Sequence, residues 1–119
     1  MAIEALLIDL DGVLYIGEAA VPGARNAIRY LEDQGYPFRF VSNTTRRSRR
    51  SIVSRLASMG FSIPEEHIFT PAAAAAAYLA GDRPQSALFL TTMEVADEIA
   101  GLAGIASDPV TAGTVVVGD

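Results

Sequence analysis

Apolar residues gather in four short runs: Ala5-Leu6-Leu7-Ile8, Phe38-Arg39-Phe40-Val41, Ala87-Leu88-Phe89-Leu90 and Thr114-Val115-Val116-Val117. Each is bounded by polar or turn residues and is too short for a buried helix, so each predicts a strand. Between the runs the spacing becomes helical. Val21-Pro22-Gly23 opens a first helix with proline at or near its first position; Ala24, Ala27, Ile28 and Leu31 share a face, and Gly35 supplies the stop. A second helix is expected after Thr44 or Thr45 as cap, with Ile52, Val53, Leu56 and Met59 as its buried stripe and Gly60 after it. Thr70-Pro71 is a further cap and first-turn pair, leading into six alanines, Tyr78, Leu79 and Ala80. Such a run is helix by propensity, and we read it as close packing. Residues 93–100 predict a short fourth helix.

The order β-α-β-α-α-β-α-β predicts an α/β fold: a mostly parallel, Rossmann-like sheet flanked by helices, because parallel neighbours need helical crossovers. The four strands are expected to share one small sheet. Gly81-Asp82-Arg83-Pro84-Gln85 is the clearest break.

Composition narrows the functional classes. With 119 residues, 50% of them apolar and 19% charged, there is room for one small domain and its core. The chain has no cysteine, which removes a disulfide framework, a thiolate metal site and a thiol nucleophile. A net charge of −5 argues against nucleic-acid binding. The N-terminus lacks a basic region followed by an apolar core, and no apolar run approaches the ~20 residues of a spanning helix, so no membrane partner is expected and the expected compartment is cytoplasmic. All nine basic residues are arginine, and there is no lysine.

The candidate chemistry lies at the end of the first strand, in Asp9-Leu10-Asp11-Gly12-Val13. Side chains alternate along a strand, so positions 9 and 11 point the same way as the strand gives out, and Gly12 lets the backbone turn. Two carboxylates ~4 Å apart repel by roughly 4 kcal/mol at an effective dielectric near 20, and a divalent cation reverses that sign. Mg²⁺ is held by one or two carboxylates plus phosphate oxygens and waters, and one carboxylate can then attack phosphorus. An Asp-x-Asp-Gly also serves as a polar turn or a calcium-type loop, and the spacing alone leaves all three readings open.

Asp9-x-Asp11-Gly12-Val13-Leu14-Tyr15 resembles the first motif of the haloacid dehalogenase-like hydrolase superfamily, and Phe38-Arg39-Phe40-Val41-Ser42-Asn43-Thr44-Thr45 resembles its second. Only about a dozen residues separate Asp9 from the first helix, which leaves no room for a cap domain there. The run from Leu14 to Ala24, with Val41-Ser42-Asn43-Thr44-Thr45 and Ile68-Phe69-Thr70, is similar to the subclass IIA branch, which includes nitrophenyl-phosphatase-like and phosphohistidine/pyrophosphate phosphatase-like proteins carrying a later α/β cap.

The resemblance implies roles. Asp9 would be the nucleophile and a metal ligand. Asp11 would be the general acid/base, also reaching the metal through its backbone carbonyl. Ser42 would hydrogen-bond the transferring phosphoryl group, Asn43 would orient the same pocket, and Gly12 would add an N–H donor. Mg²⁺ would be the cofactor and a small phosphorylated molecule the substrate. Residues 1–81 would be the N-terminal part of the core and residues 82–119 the beginning of an incomplete cap. The family's third motif, a basic residue that is most often lysine, and its fourth, an acidic cluster, lie beyond the cap and are not matched here, so the chain resembles a truncated member. A rival alignment makes Gly118-Asp119 the fourth motif; the cap-like pattern of residues 82–113 favours Asp119 as a cap residue. A catalytically incompetent protein that binds metal or phosphate, or only self-assembles, is the alternative.

The remaining charged residues have plainer readings. Arg46, Arg47, Arg49 and Arg50 oppose the helix dipole near a helix start and are read as a solvated face. His67 has no second ligand nearby in sequence and is read as a surface residue. Arg83 is the one arginine near the break, a weak candidate for a substitute third-motif cation. A homo-oligomer through exposed sheet edges or the incomplete cap is a possible partner state.

Overall fold

The computed structural model describes residues 2–82, 84 and 86–119. The strands are β1 (Leu6–Asp9), β2 (Tyr15–Ile16), β3 (Ala19–Ala20), β4 (Phe38–Val41), β5 (Ile68–Phe69), β6 (Ser86–Leu90), β7 (Ala106–Ser107) and β8 (Thr114–Val117). The helices are α1 (Ala24–Asp33), α2 (Arg49–Ser58), α3 (Pro71–Asp82) and α4 (Met93–Ala103), with a 3₁₀ turn at Glu65–His67. Among the described residues the fold is α/β, with two parallel sheets, an antiparallel β2–β3 pair and four helices. The chain divides into two compact units, one of residues 1–42 and 49–69, the other of residues 43–48 and 70–119.

In the first unit β1, β4 and β5 form a parallel sheet in that order. The register sets Leu6 beside Phe38 and Ile8 beside Phe40, and Phe40 beside Ile68, so these side chains share one face. That face is apolar because α1 and α2 cover it, through Ala24 and Ile28 and through Ile52 and Leu56. Phe38 and Phe40 meet edge to face at 5.5 Å. The opposite face carries Leu7, Asp9, Arg39, Val41 and Phe69, and it is open: Leu7 is 76% and Phe69 55% exposed.

Both helices of this unit end as the glycines predict. After α1 the Gly35 N–H reaches the Glu32 carbonyl and the Tyr36 N–H the Leu31 carbonyl, with Gly35 at φ 71°. Gly60, Ala57, Phe61 and Leu56 repeat the pattern after α2, with Gly60 at φ 87°. These paired bonds satisfy carbonyls that the helix leaves open, and a left-handed residue is needed to make them.

The second unit holds the parallel sheet β7-β6-β8. Its core is Ala72, Ala76 and Leu79 of α3 against Val95 and Ile99 of α4. The alanines let the two helices approach closely, while Tyr78 on the far side is 72% exposed. Thr70 is the N-cap of α3: its hydroxyl accepts the Ala73 N–H at 3.2 Å, and Pro71 takes the first helical position.

Several expectations change. The four expected strands do not share one sheet: 6–9 and 38–41 pair in one, 86–90 and 114–117 in another. Strands β2, β3, β5 and β7, of two residues each, carry too short an apolar signature to be seen. Neither Thr44 nor Thr45 caps α2, which starts at Arg49. The Thr44 hydroxyl instead accepts the Arg46 N–H, and the Thr45 hydroxyl accepts the N–H of Asp119. The Thr44 bond is a local hydroxyl-to-backbone contact of the kind that competes with capping, and the Thr45 bond is a tertiary one. Pro22 precedes the Gly23 N-cap of α1 rather than opening the helix. Helix α4 runs on to Ala103, stopped by Gly104 at φ 68°. Arg83 lies outside the described residues.

Candidate active site

Asp9 is the last residue of β1 and pairs in register with Val41, the last residue of β4. Ser42 follows Val41 directly, and its N–H is donated to the Phe69 carbonyl at 3.0 Å, continuing the ladder towards β5. Asp9 and Ser42 therefore stand at the carboxyl ends of adjacent parallel strands, the edge at which open α/β sheets bind ligands. Asn43, the next residue, is exposed and belongs to the second compact unit.

The turn after Asp9 is built tightly. Asp9 Oδ1 accepts the Leu10 N–H at 2.8 Å. Leu10 is 0% exposed and its carbonyl accepts the N–H groups of Val13 and Leu14, at 3.2 and 2.9 Å. Burying the middle residue of Asp-Leu-Asp is what leaves both acids outside: Asp9 and Asp11 are exposed. Asp11 forms a bridge with Tyr15, and the Gly12 N–H is donated to the Tyr15 carbonyl at 2.8 Å. Gly12 sits at φ 80°, a conformation that favours glycine. Its N–H is thus engaged inside the turn.

Among the described residues no group of three or more carboxylate, imidazole or thiol side chains gathers into a metal cage. Two exposed carboxylates at one strand end are nevertheless a suitable donor set for Mg²⁺, which completes its shell with waters and phosphate oxygens.

The family model for haloacid dehalogenase-like hydrolases matches residues 6–106. The chain belongs to this family. Its curated relatives include the haloacid dehalogenase-like hydrolase domain-containing protein 2 of Rattus norvegicus, 47% identical over 73 residues, which are 61% of this chain and 28% of that protein. Among solved structures, NagD from E. coli K-12 superposes with a TM-score of 0.88 at 28% identity, over 100% of this chain and 47% of that one. A glycerol phosphate phosphatase from Mycobacterium tuberculosis, solved with magnesium, gives 0.84 at 30% identity over 98% and 36%. This haloacid dehalogenase-like chain therefore spans less than half the length of these relatives, and its neighbours are those of the subclass IIA branch.

The other sequence candidates fall elsewhere. Arg49 pairs with Glu65 at 4.0 Å, and Arg46, Arg47 and Arg50 are exposed. His67 is half-buried at the end of the 3₁₀ turn. Asp119 follows β8 in the second unit. Sequence reasoning missed Arg55, whose guanidinium reaches the β2–β3 turn; it lies on the helix flank, where an arginine gives no sequence signal of its own.

Among the described residues no helix is long and apolar enough to cross a membrane.

Proposed function

We propose that this chain supplies the nucleophile half of a Mg²⁺-dependent phosphatase that acts on a small phosphorylated metabolite. The observation that carries the reading is Asp9 and Ser42 side by side at the carboxyl edge of a parallel sheet, with the exposed Asp11 two residues beyond. Longer relatives that bear phosphatase names, one of them solved with magnesium, support it.

In this reading an Asp9 carboxylate oxygen attacks phosphorus, the bond from phosphorus to the leaving oxygen breaks, and Asp11 delivers a proton to that oxygen. The Asp9 acyl phosphate is then cleaved by water attacking phosphorus, whose proton Asp11 takes, releasing inorganic phosphate and restoring the Asp9 carboxylate. Ser42 and Asn43 donate to the phosphoryl oxygens, where a loose, negatively charged transition state demands mainly positioning and electrostatics. Mg²⁺, when held by Asp9 and Asp11, offsets the repulsion between the carboxylate and the phosphate. Residues 82–119 are read as the opening of the cap. The pairing of β8 with β6 there supports Asp119 as a cap residue rather than a metal ligand. A cytoplasmic setting belongs to the same reading and is checked by cell fractionation.

The test is hydrolysis of a chromogenic phosphate ester by wild type and Asp9→Asn, with Mg²⁺ and with chelator. Turnover should vanish on either change while the fold persists, because an amide is a poor nucleophile and a poor Mg²⁺ ligand. Activity surviving both would exclude the mechanism. A wild type that binds Mg²⁺ and phosphate without turnover would favour the binding-only alternative, since the third and fourth motifs are unmatched.

A further inference from the structure

We propose that Arg55 is a positioning residue for Asp11: from α2 it clamps the β2–β3 hairpin, and the hairpin holds the turn that presents Asp11. The functional consequence rests on the phosphatase reading; the clamp itself does not.

Three contacts of one side chain carry the inference. Arg55 Nη2 donates to the Gly17 carbonyl and, at 2.9 Å, to Glu18 Oε1. Its guanidinium carbon stands 4.8 Å from the centroid of the Tyr15 ring. Tyr15 is the residue whose carbonyl takes the Gly12 N–H at 2.8 Å and whose backbone bridges Asp11. A continuous path thus runs from α2 through the guanidinium to Tyr15 and on to residues 11 and 12.

The hairpin needs such an anchor. Its strands are two residues each, joined by Gly17-Glu18 with Gly17 at φ 60°. A two-stranded hairpin is marginal at best in water, and this one is among the shortest possible. Burial of Leu14 and Tyr15 fixes its base, but Ile16, Gly17, Glu18 and Ala19 are exposed, and Arg55 reaches their turn from α2. The site also fits arginine specifically. A planar fork can stack on a ring while donating in its own plane, whereas a lysine ammonium is a point charge that cannot do both. The Arg55 Nε–H is buried without a hydrogen-bond partner among the described residues, so stacking and the turn contacts prevail over satisfying every donor.

The experiment compares wild type, Arg55→Met and Arg55→Lys of the full chain by amide hydrogen exchange, together with Mg²⁺ titration followed by NMR shifts at residues 9–12. Arg55→Met should speed exchange of the Gly12 amide roughly tenfold or more, since a charge-assisted bond and a cation–π contact are lost together. The Phe40 amide, at the sheet centre, should not change, Arg55→Lys should recover part of the protection, and Mg²⁺ affinity should fall in Arg55→Met. Unchanged Gly12 exchange, or equal acceleration at Gly12 and Phe40, would overturn the clamp. Unchanged Mg²⁺ affinity in a variant with a loosened Gly12 would overturn the positioning role. If wild type shows no Mg²⁺ response, the phosphatase reading fails, and the Gly12 exchange still decides the clamp. Should Arg55→Met not fold, Glu18→Ala decides instead, because Glu18 is 81% exposed and dispensable for the core: acceleration confined to Gly12 supports the clamp, and none overturns it.

Discussion

Replacing Leu10 with alanine should cost about 3–4 kcal/mol and disturb both acids. Leu10 is 0% exposed and belongs to the cluster with Leu14, Ile28, Phe40 and Leu56, although its neighbours on either side in sequence are the exposed Asp9 and Asp11. Three buried carbons at about 0.8 kcal/mol each come to about 2.4 kcal/mol of transfer free energy. The cavity left behind adds to that, because a packed surround relaxes only in part, as in the range of about 2.7–5.0 kcal/mol for leucine-to-alanine changes in other cores. Against a total stability of about 5–15 kcal/mol the loss is large. Leu10→Met keeps the volume and should cost less than about 1.5 kcal/mol. The assay is urea unfolding of the three proteins, read at the amide of Phe40 by native-state exchange so that the first unit is reported separately, with Mg²⁺ binding measured alongside. Leu10→Ala should weaken Mg²⁺ binding in conditions where the protein is still folded. A loss below about 1 kcal/mol, or one no greater than for Leu10→Met, would refute the view that this side chain anchors the site.

Ser42→Ala should weaken phosphate binding by about 1.5–3 kcal/mol, the worth of a charge-assisted hydrogen bond, without unfolding the chain; calorimetry giving equal affinities would count against the pocket. Gly101→Ala, in an exposed turn of α4 with open space around it, should stabilise by about 0.5–1 kcal/mol, whereas Gly60→Ala at φ 87°, where a new Cβ would lie 2.6 Å from Arg25 Nη1, should destabilise by about 1 kcal/mol or more; paired melts read the opposite signs. The Thr111 hydroxyl and, less strongly, the Val110 N–H hold the Asp108 carboxyl below its ordinary value. Its contribution to stability is therefore present above the ordinary carboxylate pKa and is lost as pH falls through the lowered one; Thr111→Ala should raise the Asp108 titration midpoint, followed by carboxyl carbon shifts. The open face bearing Leu7 and Phe69, and the unpaired edge of β1, should drive self-association, so sedimentation should give a concentration-dependent mass that Leu7→Glu lowers.

The sequence by itself determined the α/β class, the helices and the family. Those rest on local rules: helical spacing in residues 24–33 and 52–59, the Thr70-Pro71 cap, glycines 35 and 60 at positive φ, and the Asp9-x-Asp11-Gly12 turn. It could not place the strands in sheets, because pairing joins residues distant along the chain and four apolar runs look alike; only the fold put 6–9 with 38–41 and 86–90 with 114–117. Two-residue strands such as Ile68–Phe69 exist because a neighbour's free backbone groups capture them, which no local pattern encodes. The candidate site divides in the same way. The place of Asp9 and Asp11 at the end of a strand was legible from local pattern, whereas the register that sets Asp9 beside Val41, the engagement of the Gly12 N–H by Tyr15 and the reach of Arg55 to the hairpin are products of tertiary packing. Hydrogen bonds are committed in three dimensions, so a residue's type fixes what it can donate and only the folded chain fixes what receives it.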